Sequence, residues 1–335
     1  MTLEAGSQLT GTIRLERPLR RGGMGEVWVA EHLGLKTRVV VKFLGRSLSG
    51  DPSAIARFQR EAEAAAQVRS PHVVQMLDYG VSDAGVPFLV MELLEGSDLS
   101  ELLRTRRLSL EETGLVVEGV ARALTKAHKH GILHRDIKPA NIFICELDVG
   151  GFFVKLLDFG IAKSIDDHNP VTTTGSIVGT PSYMSPEQLN GERDLDARSD
   201  LWSLGVVAYR ALTGKAPFAG DSVGRIAVAV LSEPLDPVRQ HRLDLPAELD
   251  LWFARACAKD RTNRFSSARE MAAALWDVAR PHGAIPPPAP SSPSQSGRFT
   301  PVAGAVPGAT ERTATTRLSS VVTGPSTSAR GASAL

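Results

Sequence analysis

The segment His134-Arg135-Asp136-Ile137-Lys138-Pro139-Ala140-Asn141 limits the folds open to this chain more than any other. It is followed, after an apolar stretch that contains a glycine turn, by Asp158-Phe159-Gly160. Two carboxylates, an ammonium group and an amide therefore occupy two short turns. Phosphoryl transfer needs such a set, in which one carboxylate orients a hydroxyl nucleophile, another holds a divalent ion with the amide, and a cation lies near the phosphate. The fold is expected to bring the two turns together.

These two segments resemble the catalytic loop and the metal-binding motif of the protein kinases. Lys138 is similar to the lysine that serine/threonine kinases carry in this loop. The resemblance implies that Asp136 is the general base and orients the substrate hydroxyl, and that Lys138 stabilises charge on the γ-phosphate of ATP. It implies that Asn141 and Asp158 ligate Mg²⁺. It further implies that Phe143 forms the floor of the adenine site.

A glycine-rich hairpin is predicted between two strands near the start of the chain. Gly22 and Gly25 would let backbone N–H groups approach phosphates, because glycine has no Cβ in the way. The hairpin resembles the kinase glycine-rich loop in these two glycines and in Val27, whereas Arg20 stands where the first glycine of that loop would be. The resemblance implies that Leu19 and Val27 cover the adenine. The alternative is a tight turn without a ligand.

Lys42 lies at the end of an apolar strand segment and is predicted to be partly buried. A buried lysine needs an acidic partner. The helix predicted over Ser53 to Val68 offers Glu61 and Glu63. We prefer Glu61, because it lies one turn from Phe58 on the apolar face and because its position resembles that of the kinase glutamate that pairs with this lysine. The alternative is that Lys42 is a charge that protects an edge strand.

Two strands are predicted after the helix, over Val73 to Tyr79 and Pro87 to Glu92. The second is almost continuously apolar and is predicted to be buried. By the resemblance, Met91 lies beside the adenine. The residues Glu92 to Leu94 would then form the hinge, whose backbone groups hydrogen-bond the base. Glu95-Gly96-Ser97 is predicted to end the smaller lobe, and the chain from there to about residue 280 is predicted to be mainly helical. Helices are predicted over Asp98 to Arg106 and Leu110 to His130, and roughly over residues 222–231, 247–258 and 266–279.

Residues 161–184 form a long, polar stretch that is rich in threonine. It is either a mobile loop or an activation segment that ends at Glu187, in a Ser-Pro-Glu sequence that resembles the kinase motif. A phosphothreonine carries about −1.5 to −2 charges and could be bound by Arg135. We therefore expect autophosphorylation at Thr172 and Thr174. Autophosphorylation in trans would require a transient homodimer.

Two acidic residues are expected to hold the larger lobe together. Asp200 begins an apolar helix predicted to run to Leu212, and the resemblance implies that its carboxylate braces the backbone of the catalytic loop. The resemblance also implies that the side chains of Glu187 and Arg264 meet. The alternatives are an ordinary acidic residue at a helix N-terminus and a solvated arginine.

The composition predicts a globular domain followed by a tail. The chain has 335 residues, of which 42% are hydrophobic and 22% charged, and its net charge of +1 gives no electrostatic reason for nucleic-acid binding. No apolar run approaches the roughly 20 residues needed to cross a bilayer. Cys145 and Cys257 lie far apart in the sequence, which suits a reducing cytoplasm. Residues 281–335 contain nine Pro, nine Ser and seven Thr and are predicted to be disordered.

The sequence thus predicts an α+β chain with the two-lobed protein kinase fold over residues 1–280. The small antiparallel β lobe with one helix would span about residues 10–95, and the larger, mainly helical lobe about residues 96–280. The resemblance implies a bacterial, eukaryotic-like (Hanks-type) serine/threonine protein kinase that uses ATP and Mg²⁺ and acts on Ser and Thr hydroxyls of proteins. The alternatives are a pseudokinase scaffold, which Arg20 favours, and a small-molecule phosphotransferase.

Overall fold

The computed structural model describes residues 4–22, 25–44, 52–146, 151–159 and 181–287, all within the unit Met1–Pro288. Residues 161–180 of the predicted activation segment and residues 288–335 of the predicted tail lie outside the described residues. The described part forms a small β lobe that is followed by a mainly helical lobe. None of its helices is both long enough and apolar enough to cross a membrane.

The small lobe is built on a five-stranded antiparallel sheet with the strand order β1-β2-β3-β5-β4. Its strands are β1 (Ile13–Gly22), β2 (Gly25–His32), β3 (Thr37–Leu44), β4 (Met76–Val81) and β5 (Pro87–Glu92). Alternate residues of β3, Val39, Val41 and Phe43, pack with Trp28 in a hydrophobic cluster on one face of the sheet. Lys42 lies between them in the sequence, so its side chain points to the opposite face, toward the cleft.

The helix of the small lobe, α1 (Pro52–Ala66), lies where the sequence predicted it. Phe58, Ala62 and Ala65 are buried, as the helical spacing of its apolar residues predicted. The strand predicted over Val73 to Tyr79 instead begins at Met76. The residues before it pair elsewhere, because Val73 forms an isolated parallel bridge with Leu156 of the larger lobe. That pairing was not visible in the hydrophobic pattern.

The larger lobe contains a three-stranded sheet and seven helices among the described residues. The strands are β6 (Ser97–Asp98), β7 (Ile142–Glu146) and β8 (Phe152–Leu156). The helices are α2 (Leu99–Thr105), α3 (Leu110–Lys129), α4 (Pro186–Leu189), α5 (Ala197–Thr213), α6 (Val223–Ser232), α7 (Glu248–Ala256) and α8 (Ala268–Ala279). Each predicted helix of this lobe is present, with its ends shifted by a few residues.

The helix α3 lies at the centre of the larger lobe. Ser109 and Glu112 form a capping box at its start, so both of their side chains hydrogen-bond backbone N–H groups that lack helical partners. Gly131 follows the helix with a φ of 71°, a left-handed conformation that favours glycine. The ring of Trp276 from α8 lies against Gly114, where a Cβ would approach it to 2.7 Å. The glycine therefore lets α8 pack closely on α3.

One hydrophobic cluster connects the two lobes. It includes Phe58 and Leu89 of the small lobe, Leu156 of β8, and Val116 and Trp202 of the larger lobe. Burying each such side chain contributes roughly 1.5–3 kcal/mol. The cleft between the lobes is therefore backed by a shared core.

Candidate active site

The carboxylate of Asp200 fixes the catalytic loop from behind. Its two oxygens accept hydrogen bonds from the backbone N–H groups of His134, at 2.9 Å, and Arg135, at 2.8 Å. The His128 ring also bonds this carboxylate, at 2.8 Å. Burial alone would raise the pKa of Asp200, but these hydrogen bonds outweigh it and lower the pKa. The predicted bracing role of Asp200 is confirmed.

The catalytic loop holds a strained backbone at Arg135, whose φ is 60°. A residue other than glycine adopts this left-handed conformation only where the surroundings stabilise it. Asp200 binds the Arg135 N–H, and the Gln188 side-chain amide donates a hydrogen bond of 3.0 Å to the Arg135 carbonyl. Both backbone polar groups of Arg135 are therefore satisfied, and the following residue, Asp136, is presented in a fixed direction.

Asp136, Lys138 and Asn141 come together as the sequence predicted. The ammonium group of Lys138 lies 2.8 Å from Oδ2 of Asp136. The side-chain nitrogen of Asn141 donates to the same carboxylate oxygen at 3.0 Å and to the Asp136 carbonyl at 2.8 Å. Because the amide nitrogen is directed toward Asp136, the amide oxygen of Asn141 remains the atom suited to bind a cation.

Asp158 pairs with Lys42 across the cleft, with 2.7 Å between the ammonium nitrogen and Oδ2. Both side chains are largely withdrawn from solvent, since they are 18% and 27% exposed. Asp158 has a φ of 45°, a second left-handed residue in the site. The Leu157 N–H donates to the Asn141 carbonyl at 2.8 Å, and the His134 ring bonds the Leu157 carbonyl at 2.7 Å. These bonds hold the two predicted turns side by side.

The two candidate glutamates of α1 have different surroundings. Glu61 is half-buried, whereas Glu63 is exposed and accepts a 3.0 Å hydrogen bond from the Tyr79 hydroxyl. In the structure the Lys42 ammonium group pairs with Asp158. The preference for Glu61 as the partner of Lys42 stays a prediction.

The residues predicted to surround the adenine lie on the strands that border the cleft. Val27 of β2 is half-buried, Leu19 of β1 is 50% exposed, and Met91 of β5 is buried. Phe143 lies on β7 and is half-buried. The hinge residue Glu92 is held in place, because its Oε1 accepts from the Lys155 ammonium at 2.5 Å and the Gln75 N–H at 2.7 Å. The binding roles of these residues stay predictions.

The hairpin between β1 and β2 has a strict requirement for glycine at Gly25. Its φ is 127°, and an added Cβ would lie 2.0 Å from the Phe43 carbonyl oxygen on β3. Gly22 faces Gly25 in the strand register, so the two glycines predicted from the motif flank the turn. The residues between them, 23 and 24, lie outside the described part.

Glu187 and Arg264 form a buried, two-point ion pair, so their predicted meeting is confirmed. The two nitrogen–oxygen distances are 2.7 and 2.8 Å, and the Ser199 hydroxyl adds a hydrogen bond of 2.7 Å to Glu187. Burial would raise the pKa of Glu187, but the bonds from Arg264 and Ser199 outweigh it and lower the pKa to about 2. The pair ties the start of α4 to the loop before α8.

The donor set fits a magnesium ion only with help from a ligand. Within the described residues there is no group of three or more His, Cys, Asp or Glu side chains that could hold a metal by itself. Asp158 and Asn141 offer one carboxylate and one amide oxygen. Mg²⁺ is commonly bound by one or two such groups together with substrate phosphates and water. The residues present therefore fit a metal that arrives with a nucleotide.

Sequence reasoning missed two contacts of the site. The first is the support that Gln188 gives to Arg135, for which a glutamine in a helix gives no specific signal. The second is an ion pair of 2.7 Å between Arg20 on β1 and Asp98 on β6. Asp98 was predicted inside a helix but is its N-cap, and an Asp just before an apolar periodic run could have indicated this.

The comparisons with known proteins agree with this geometry. The family model of the protein kinase domain matches residues 13–276. The solved kinase domain of Mycobacterium tuberculosis PknI is 31% identical, with a TM-score of 0.66, and the alignment covers 83% of this chain and 100% of that one. The chain therefore belongs to the protein kinase family. The predicted two-lobed fold is confirmed.

Its similar relatives are bacterial serine/threonine kinases. The chain is 41% identical over 290 residues to the serine/threonine-protein kinase PknB of Mycobacterium tuberculosis, covering 85% of this chain and 45% of PknB. It is 40% identical over 308 residues to PknA of the same species, covering 90% of this chain and 69% of PknA. The chain thus spans less than half of PknB. The predicted place in the bacterial, Hanks-type serine/threonine branch is confirmed.

Proposed function

We propose that this chain transfers the γ-phosphate of ATP to Ser and Thr hydroxyls of proteins. The observation that carries the proposal is the cluster of Asp136, Lys138 and Asn141. Hydrogen bonds to the backbone of Leu157 hold this cluster beside the ion pair of Lys42 with Asp158. The site combines an acid that can accept a proton, two cations and two metal-ligand candidates. Phosphoryl transfer depends mainly on such positioning and charge stabilisation.

The nucleotide would lie between the two lobes. The glycine-rich hairpin, with Gly22 and Gly25, would approach the phosphates through its backbone, and Lys42 would neutralise their charge. The hinge, Glu92 to Leu94, would hydrogen-bond the base. The base would lie beside the side chains of Leu19, Val27, Met91 and Phe143. The half-buried Val27 and Phe143 and the buried Met91, all on cleft-bordering strands, support this arrangement.

Asn141 and Asp158 would hold Mg²⁺. When bound, the ion would neutralise the negative charge that develops on the phosphate oxygens during the reaction. The ion pair between Lys42 and Asp158 supports this role, since a nucleotide phosphate would compete with Asp158 for the lysine and release the carboxylate oxygen for the metal. Glu61 on α1 would then pair with Lys42.

Asp136 would orient the substrate hydroxyl and accept its proton. A bond would form between the hydroxyl oxygen and the γ-phosphorus, while the bond between that phosphorus and the oxygen bridging to the β-phosphate breaks. Lys138, 2.8 Å from Asp136, would stabilise the negative charge on the transferring group. Lys138 and Asn141 both contact Oδ2 of Asp136, and these two contacts would hold the carboxylate in place for the substrate.

Activity would be raised by autophosphorylation at Thr172 and Thr174, which lie outside the described residues. A phosphate there would bring charge to Arg135, whose backbone is already fixed. Reaction in trans would require a transient homodimer. Two free thiols, at Cys145 and Cys257, and the use of ATP support a cytoplasmic site of action.

The test is a transfer assay with γ-labelled ATP, Mg²⁺ and a generic protein acceptor. We expect the wild type to label the protein and Asp136→Asn to lose at least about a hundredfold in rate, because the proton acceptor is gone. Asp277→Asn is the matched control, since it removes an exposed carboxylate of α8 without touching the site. Labelling of a sugar acceptor instead would favour a small-molecule phosphotransferase. If no variant labels any acceptor although the protein still binds nucleotide, the result would favour the pseudokinase scaffold.

A further inference from the structure

Arg20 joins the glycine-rich hairpin to the larger lobe. Its guanidinium Nη2 lies 2.7 Å from Oδ2 of Asp98, which belongs to β6 just before α2. Arg20 occupies the position where the kinase loop that this hairpin resembles has its first glycine. The departure from the motif thus introduces a side chain that reaches across the cleft.

The strand register places this ion pair at the edge of the proposed adenine site. Arg20 faces Val27 in the pairing of β1 with β2, and Val27 is a proposed cover of the adenine. Asp98 faces Phe143 in the pairing of β6 with β7, and Phe143 is its proposed floor. The pair therefore connects the strand pair above the nucleotide to the strand pair below it.

Asp98 is held in place by several contacts, whereas the Arg20 side chain is largely exposed. Asp98 has a side chain that is only 7% exposed, and its Oδ1 accepts from the Ser100 hydroxyl and, at 3.0 Å, from the Glu101 N–H. Burial would raise the pKa of Asp98, but the bonds from Ser100 and Arg20 outweigh it and lower the pKa, so the carboxylate is charged at neutral pH. The Arg20 side chain is 62% exposed and can leave into solvent.

We propose that Arg20 and Asp98 form a clasp, which holds β1 to β6 at the edge of the nucleotide site and slows both the binding and the release of nucleotide. The inference rests on the proposed function, because it takes the cleft to be the ATP site. Passage of a nucleotide would require β1 and β6 to separate at this edge, and their separation would break the ion pair. The clasp is closed both before and after binding, so it changes the two rates more than their ratio.

The expected size follows from the exposure of Arg20. Exposed ion pairs are weak and are screened by salt. Removing the clasp is therefore expected to raise the dissociation rate by about two- to fivefold, with a similar rise in the association rate. The dissociation constant should change by less than either rate. High salt should raise the wild-type rates toward those of the variant.

The experiment measures binding and release of a fluorescent ADP analogue with Mg²⁺ by stopped flow. The variants are Arg20→Gln, Asp98→Asn and the double variant; asparagine retains the helix cap. Arg14→Gln is the matched control, because Arg14 also lies on β1 and pairs with Glu31 inside the small lobe. We expect each clasp variant to release faster, the double variant no faster than the singles, and the control to match the wild type.

Several results would overturn the clasp. One is a release rate in Arg20→Gln that equals that of Arg14→Gln or is slower than it. Another is a double variant whose effect is the product of the two single effects, which would mean that the residues act separately. A wild type that labels protein and binds the analogue, combined with a neutral Arg20→Gln, refutes the clasp alone. A wild type that binds no nucleotide refutes the proposed function and the clasp together.

Discussion

The buried pair of Glu187 and Arg264 gives a prediction whose size can be worked out in two ways. The side chains are 4% and 0% exposed, so replacing Glu187 with Gln leaves a buried guanidinium without its counter-charge. Breaking a buried pair in this way costs about 3–5 kcal/mol of unfolding free energy. Independently, the pKa of Glu187 falls from 4.5 to about 2, and this shift corresponds to about 3 kcal/mol. The two values agree.

The sign of the pH dependence follows from the lowered pKa. Because the folded state holds Glu187 ionised down to a pH of about 2, the pair's contribution is fully present above pH 4.5 and is lost as the pH falls toward 2. The stability gap between the wild type and Glu187→Gln should therefore be about 3 kcal/mol at pH 7. By pH 3.5 about 1 to 1.5 kcal/mol of that gap should be gone.

Urea unfolding measures this gap. The fluorescence of Trp202 is a suitable signal, since its ring centroid lies 4.9 Å from the Arg264 guanidinium carbon. Asp194→Asn is the control, because it removes the partner of Arg261 at the surface and should change stability little. A gap that is the same at pH 7 and pH 3.5, or no larger than that of the control, would refute the reasoning.

Three further predictions follow from other contacts. Asp200→Asn should lower kcat at least about tenfold with little change in the ATP KM, because an amide cannot accept from both loop N–H groups, and steady-state kinetics tests this. Gly25→Ala should lower the unfolding free energy by more than about 1 kcal/mol and weaken nucleotide binding. Gly224→Ala is the control, because a Cβ at this helix position meets open space, and it should change neither quantity. Thermal unfolding measures the stability, and ADP titration measures the binding. Burial lowers the pKa of Lys259 to about 8, so the unfolding free energy of the wild type should increase relative to that of Lys259→Met between pH 8 and 10.5, as denaturant unfolding of both would show.

The sequence predicted those parts of the site that short motifs encode. The turns around Asp136 and Asp158 were predicted from residue types that phosphoryl transfer needs, whereas the bracing by Asp200 and the pairing of Glu187 with Arg264 were predicted from the resemblance to the kinase motifs. Such contacts are predictable because the chemistry allows few substitutes for a carboxylate or a guanidinium at these points. Helix positions were predictable for a similar reason, since caps and apolar spacing are local signals.

Contacts that depend on how two elements approach each other were not predictable. Val73 was expected in a strand of the small lobe, but it bridges to Leu156 of β8. Arg20 appeared to be a mere departure from a motif, and only the fold shows that its guanidinium reaches Asp98. Neither partner is close in sequence, and no periodic pattern records their distance.

Because Val73 bridges to Leu156, a cut of this chain at its hinge would separate backbone segments that are paired in the fold. The segment between α1 and β4 belongs by sequence to the small lobe but pairs with β8 of the larger lobe. There the Val74 N–H donates a hydrogen bond of 3.0 Å to the Leu156 carbonyl. A fragment that ended at Ser97 would lose this pairing with β8. It would also expose Phe58 and Leu89 to water, because they pack in one cluster with residues of the larger lobe. A fragment of this chain that is meant to keep the small lobe intact therefore has to include β8.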